Sequence, residues 1–190
     1  MPFPPLLWWR EVQQSALSGL DFAEPFRKMG YRNRYRLASS NGPLWLTIPI
    51  LGGREQRTPV GEILIDNSLP WQRNHWRSIT SIYRRTPFFE HYKPSLQALF
   101  TQPFSMLADF NLASVRWCQQ ALRLEENRIA IPPFPGNKDW TDRRERWLDF
   151  TQFPLKPYAQ PFLERTGFLR GMSLLDALFC EGPATVSLLQ

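Results

Sequence analysis

Residues 71–86, WQRNHWRSITSIYRRT, run without a proline or a glycine between Pro70 and Pro87, in a chain that carries 18 prolines. Proline removes a backbone donor and clashes with the preceding turn, so a stretch free of it leaves room for an uninterrupted helix. On a helical wheel Trp76, Ile79, Ile82 and Tyr83 share one arc with His75, while Arg73, Arg77 and Arg84 form a narrow stripe on the opposite side. The spacing predicts an amphipathic helix, capped by Asn67 or Ser68, with Pro70 in its first turn and Pro87 as its stop. His75 admits two readings: a buried histidine satisfied by hydrogen bonds, or a general acid or base at a pocket wall. The arginine stripe is either a solvated face or an anion site, because the guanidinium fork matches phosphate and carboxylate geometry.

Upstream, YRNRYRL alternates strictly, with Tyr31, Asn33, Tyr35 and Leu37 on one face and Arg32, Arg34 and Arg36 on the other. The turn-forming residues 39–43 lead into LWLTIPIL, which alternates again, so a β-hairpin is expected. Pro49 lacks a ladder donor and marks this second strand as an edge strand or as its end. Asn33 stands out, because a carboxamide on an apolar face is costly to bury unless a backbone or ligand group satisfies it.

Elsewhere the pattern predicts a terminus laid over a core and a first helix through Leu17, ended by Ser18, Gly19 and Asp21. A charged loop over residues 52–59 follows the hairpin, then a short third strand over residues 62–66. Residues 95–100 read as one or two helical turns and residues 105–124 as a longer core helix containing Cys118. Residues 125–149 read as loops, with a short strand near residues 129–131. Near the C-terminus Ser173 and Asp176 have capping-box spacing ahead of an apolar face, and Gly182-Pro183 gives a stop; Asp176 is thus a cap or, on the second reading, a catalytic carboxylate.

Composition narrows the function classes. Only four of the 23 basic residues are lysine (28, 93, 138 and 156), so the net charge of +6 is carried mostly by separate arginines, which suits phosphorylated or carboxylated small molecules. No lysine/arginine block or RNP motif accompanies it, so nucleic acid is not the expected partner. Cys118 and Cys180 stand alone and only two histidines exist, which argues against a zinc site or any other metal. The dinucleotide, P-loop, nucleophile-elbow and HExxH motifs are all missing, and no cofactor is implied. There is no apolar run of about 18 residues and no signal-peptide pattern at MPFPPLLWW, so a cytoplasmic protein is expected.

Several blocks in order resemble the WbqC-like protein family: FPPLLWW, GYRNRYRL, NGPLWLTIPI, WQRNHWRSITSIYRRTPFFEHY, DFNL, the pair Asp142 and Arg143, PYAQPF and GFLRGMSLLDALFCEGP. The resemblance implies a bacterial protein linked to O-antigen gene clusters, with transfer of glycine to a sugar as the role proposed for the family. Longer members look more α/β where this chain has only residues 127–149.

The expected fold is α/β or α+β, one domain over residues 1–190, with a small mixed sheet that includes the N-terminal hairpin and helices packed on it. The expected function is a transferase of surface-polysaccharide biosynthesis. Arg32, Arg34, Arg77 and Arg84 would hold phosphates of a nucleotide-sugar or other anionic ligand, Asn33 and Asn74 would orient it, and His75 and Asp176 are the catalytic candidates. The arginine face of the hairpin is expected to lie opposite the helix stripe. The alternative is a non-catalytic scaffold that docks polysaccharide-assembly proteins.

Overall fold

The computed structural model describes residues 1–27, 29–52, 57–131 and 156–190. Helix α2, Trp71–Tyr83, occupies most of the predicted stretch, but its ends differ. Pro70 is the N-cap and no side chain caps the helix. Asn67 is engaged with Trp71 and Phe104, and Ser68 with Asp66, so neither is free to cap. The helix closes at Tyr83, with Arg84 N–H on the Thr80 carbonyl and Thr86 N–H on that of Tyr83, before Pro87 is reached. Its buried residues are Trp71, His75, Ile79 and Tyr83, one every fourth position, whereas Trp76 and Ile82 are only half-buried.

The hairpin forms as expected, as β2 (Arg34–Ser39) and antiparallel β3 (Gly42–Thr47), which follow the short strand β1 (Ser18–Gly19). Tyr35 pairs with Leu46 and Leu37 with Leu44, and the pair Ser39–Gly42 closes a two-residue loop. Ser39 Oγ donates to the Gly42 carbonyl at 2.7 Å, and Gly42 takes φ +96°, which a side chain would resist. Tyr31, Asn33, Tyr35 and Leu37 are all buried on the face the alternation assigns to the core.

Four further helices among the described residues enclose this unit: α1 (Leu6–Gln14), α3 (Phe89–Thr101), α4 (Leu107–Ala121) and α6 (Leu174–Glu181), with the one-turn α5 (Leu163–Thr166) beside them. Helix α3 extends well beyond the turns foreseen and tolerates Pro94 in its sixth position, at the loss of one backbone bond. Helix α1 stops at Gln14. Ser18 and Gly19, expected as a terminating turn, instead pair in parallel with Ile129 and Ala130 (β4). The third strand expected at residues 62–66 is absent. Val60–Glu62 is a 3-10 turn, followed by single bridges from Leu64 to Met106 and from Ile65 to Ile50. Gly182 ends α6 at φ +55°, where a Cβ would collide with the Phe88 ring. Asp142, Arg143 and most of the predicted 125–149 loop, like residues 53–56 of the charged loop, lie outside the described residues.

The result is an α+β fold in which, among the described residues, two separate two-stranded sheets are small beside the helices. Side chains of α1 to α4, α6 and the hairpin join one apolar cluster that includes Trp9, Tyr35, Tyr83, Phe89, Phe110 and Phe179, all fully buried. Cys118 sits inside it as a small buried residue.

Candidate functional site

A cleft of about 600 Å³ opens at the head of α2, between its first turn and residues 97–105. Local bonds hold it open. Trp71 Nε1–H donates to Asn67 Oδ1 at 3.1 Å, Asn67 Nδ2 donates to the Phe104 carbonyl at 2.8 Å, and Gln72 Nε2 donates to the Gln102 carbonyl at 2.7 Å. Trp71, Trp76, Phe100 and Phe104 supply aromatic walls, and Arg73 and Gln97 add polar groups. Among the described residues Arg73 is the one charged residue in the lining, and no carboxylate lines it.

His75 lies one layer behind this wall. Its ring centroid is 5.3 Å from that of Trp71 and 6.5 Å from that of Phe100. Its Nε2 is 3.2 Å from the Thr47 carbonyl, which can only accept, so Nε2 carries the proton and Nδ1 accepts from the Tyr35 hydroxyl at 3.1 Å. Burial pushes its pKa down to about 4, outweighing the Thr47 carbonyl, which favours the charged form. His75 is thus neutral near pH 7 with both nitrogens engaged, the geometry of the hydrogen-bonded core histidine.

Asp176 does not complete a capping box. Ser173 Oγ accepts the cap bond from Leu175 N–H, but Ser173 N–H goes to the Arg36 carbonyl. The carboxylate is fully buried and turned inward, because hydroxyl and amide donors stand there. Tyr83 donates to Oδ1 at 2.8 Å, and Tyr158 and Gln160 Nε2 donate to Oδ2 at 2.6 and 2.8 Å. Desolvation raises its pKa, against these three donors, which favour the charged form.

The other predicted ligand residues fall into two groups. Arg32 Nη2 bonds Glu24 at 2.7 Å, Arg34 donates to the carbonyls of Met29 and Gly30, and its guanidinium lies 4.0 Å from the centroid of Trp45. Asn33 Nδ2 donates to the Ile48 carbonyl at 2.9 Å, the backbone satisfaction its burial calls for. Asn74 and Arg77 are exposed on α2, and Arg84 is exposed at its C-cap. The helix meets the hairpin through His75 on Tyr35 and Thr47 and through Tyr83 on Ala38 N–H, so its exposed arginines face away from the hairpin. The two arginine sets therefore do not share a cleft.

Sequence reasoning missed Gln97 and Phe104 in the cleft and Tyr158 and Gln160 around Asp176. The first pair carries no local signal, while the block PYAQPF holds the second. Among the described residues no group of three or more His, Cys, Asp or Glu side chains could hold a metal, and no helix is long and apolar enough to cross a membrane.

Fold and cleft together define a small α+β protein with an aromatic-walled cleft lined by one arginine among the described residues. The chain belongs to the WbqC-like protein family, whose sequence model matches residues 20–143. It is similar to the uncharacterized protein Rv1507c of Mycobacterium tuberculosis, with 27% identity over 77 residues. That match covers 40% of this chain and 33% of the relative, so the chain spans about a third of that protein's length. No solved structure matches.

Proposed function

We propose that this chain is a bacterial, cytoplasmic transferase of O-antigen or other surface-polysaccharide biosynthesis, acting as one domain on a nucleotide- or lipid-linked sugar to which it adds an aminoacyl group such as glycine. The observation that carries the reading is the cleft at the head of α2, where aromatic walls meet amides and a guanidinium, the mixture that suits an anionic, ring-bearing ligand. In the transfer an acceptor hydroxyl or amine forms a bond to the activated acyl carbon, the acyl–carrier bond breaks, and the acceptor's proton passes to the departing carrier. Arg73, with the exposed Asn74 and Arg77 near it on α2, binds the anionic end of the ligand. His75 sets the position of the Trp71 and Phe100 wall.

Deleting the gene in its source bacterium and weighing the released polysaccharide tests this. The expected result is a glycan of normal length that lacks one aminoacyl substituent; an unaltered glycan sinks the proposal. The engagement of both His75 nitrogens and the burial of Asp176 favour a second reading, a non-catalytic scaffold of polysaccharide assembly. A shortened glycan, together with recovery of a glycosyltransferase on the purified chain, would select it.

A further inference from the structure

We propose that the cleft at the head of α2 binds an organic phosphate, with the phosphate on the Arg73 guanidinium and the attached ring against the Trp76 indole. This rests on reading that cleft as the ligand site, and it moves the anion contact away from the hairpin arginines.

The arginines of the chain differ in what already holds them. Arg32 is spent on Glu24, and Arg34 on two backbone carbonyls and the Trp45 face. Among the described residues no hydrogen bond or ion pair engages Arg73, which leaves its donor fork available, and no carboxylate in the lining competes for it. Arg77, exposed one helical turn further on, adds positive charge without entering the lining. A phosphate matches the planar fork in two parallel bonds, a geometry that an ammonium cannot offer.

The ring subsite follows from what supports Trp76. The indole is half-buried and braced by Phe89, stacked at 6.3 Å and 26°, and by Phe100 at 6.1 Å, so it is held rigid where it borders the cleft. A rigid aromatic surface binds the face of a nucleobase or sugar ring at little entropic cost. Gln97 stands in the lining with no bond of its own among the described residues, and offers both a donor and an acceptor to ring substituents. Asn67 and Gln72 are tied to the backbone of residues 102 and 104 and form the frame instead.

Tryptophan-fluorescence titration of the full chain with inorganic phosphate, glucose, glucose 1-phosphate and uridine 5'-monophosphate tests the inference. At least one ester should bind saturably, about tenfold or more tighter than phosphate or glucose alone. The tighter ester identifies the ring as sugar or nucleobase. Arg73→Gln should weaken that ester about tenfold or more, the loss of a charged hydrogen-bond pair, with an unchanged unfolding midpoint because Arg73 is exposed. Trp76→Leu should weaken the ester and leave inorganic phosphate binding as it was. Esters that bind no tighter than phosphate, ester binding indifferent to Arg73→Gln, or no binding at all each overturn the inference. Arg73-dependent binding in a chain whose deletion leaves the glycan unaltered keeps this inference and sinks the transferase. A missing aminoacyl group alongside Arg73-independent binding does the reverse.

Discussion

The buried stripe of α2 carries a polar group toward each end, and the two are built on opposite principles. Near the head, His75 is a neutral imidazole that gives one hydrogen bond and takes one, directly behind the cleft wall. At the foot, Tyr83 leads to Asp176, a carboxylate enclosed by two tyrosine hydroxyls and one amide, with no cation bonded to it among the described residues. The Asp176 group ties four segments together, since Tyr83 also accepts from Ala38 N–H of β2 and Gln160 exchanges bonds with the Leu169 backbone. Helix α2 is therefore tied at its foot through a buried carboxylate and at its head through a neutral imidazole behind the cleft wall. The difference teaches which of two buried titratable residues belongs to the scaffold alone and which lies next to the cleft.

The strongest way to break that contrast is to remove the carboxylate. Asp176→Ala strands two tyrosine hydroxyls and the Gln160 amide in a dry interior, and should cost about 3–5 kcal/mol in urea unfolding. Asp176→Asn keeps an acceptor and should cost roughly 1–2 kcal/mol. Because burial raises the folded-state pKa of Asp176, the cost of Asp176→Ala should be largest below the ordinary carboxylate range and should shrink as pH rises through the folded value. A loss for Asp176→Ala below about 1 kcal/mol would refute the tie at the foot.

At the other end the sign reverses. The pKa of His75 is lowered from 6.5 to about 4, so the unfolded chain takes up a proton before the native one does. Stability should fall by about 3 kcal/mol as pH drops from 6.5 to about 4, relative to a His75→Phe variant that cannot titrate. His75→Phe itself leaves the Thr47 carbonyl and the Tyr35 hydroxyl without this partner, and should cost about 2 kcal/mol at neutral pH. Parallel pH profiles for the two proteins would show that the imidazole is not held neutral.

What the sequence made legible follows the range of the forces involved. The hairpin, its core face and the existence of α2, α4 and α6 rest on local periodicity and turn chemistry, and they appear as read. The ends of α2 do not, because Asn67 is drawn off by the Phe104 carbonyl across 37 positions. Asp176 has the spacing of a cap, but burial beside Tyr83 and Tyr158, 93 and 18 positions away, outweighs a local bond worth only about 1 kcal/mol. The cleft is illegible for the same reason. Arg73 and Trp76 lie in the stretch that was singled out, whereas Gln97 and Phe104 arrive from α3 and the turn beyond it.

The mildest change tests the finest part of the contrast, the tautomer of His75. Tyr35→Phe removes one hydroxyl and keeps the ring that meets Phe3 at 5.0 Å and His75 at 5.5 Å, so the expected cost is only about 1 kcal/mol. That hydroxyl donates to Nδ1 and so stabilises the neutral imidazole. Its loss should move the His75 pKa back up toward the ordinary histidine value, and the protein should lose less stability in acid than the parent does. Carbon-detected NMR titration of the imidazole reads both quantities, because the ring shifts distinguish a proton on Nε2 from one on Nδ1. A lower pKa in the variant would mean that Tyr35 accepts from Nδ1 instead. Nε2 would then face the Thr47 carbonyl without a proton, and His75 would be poised to gain one.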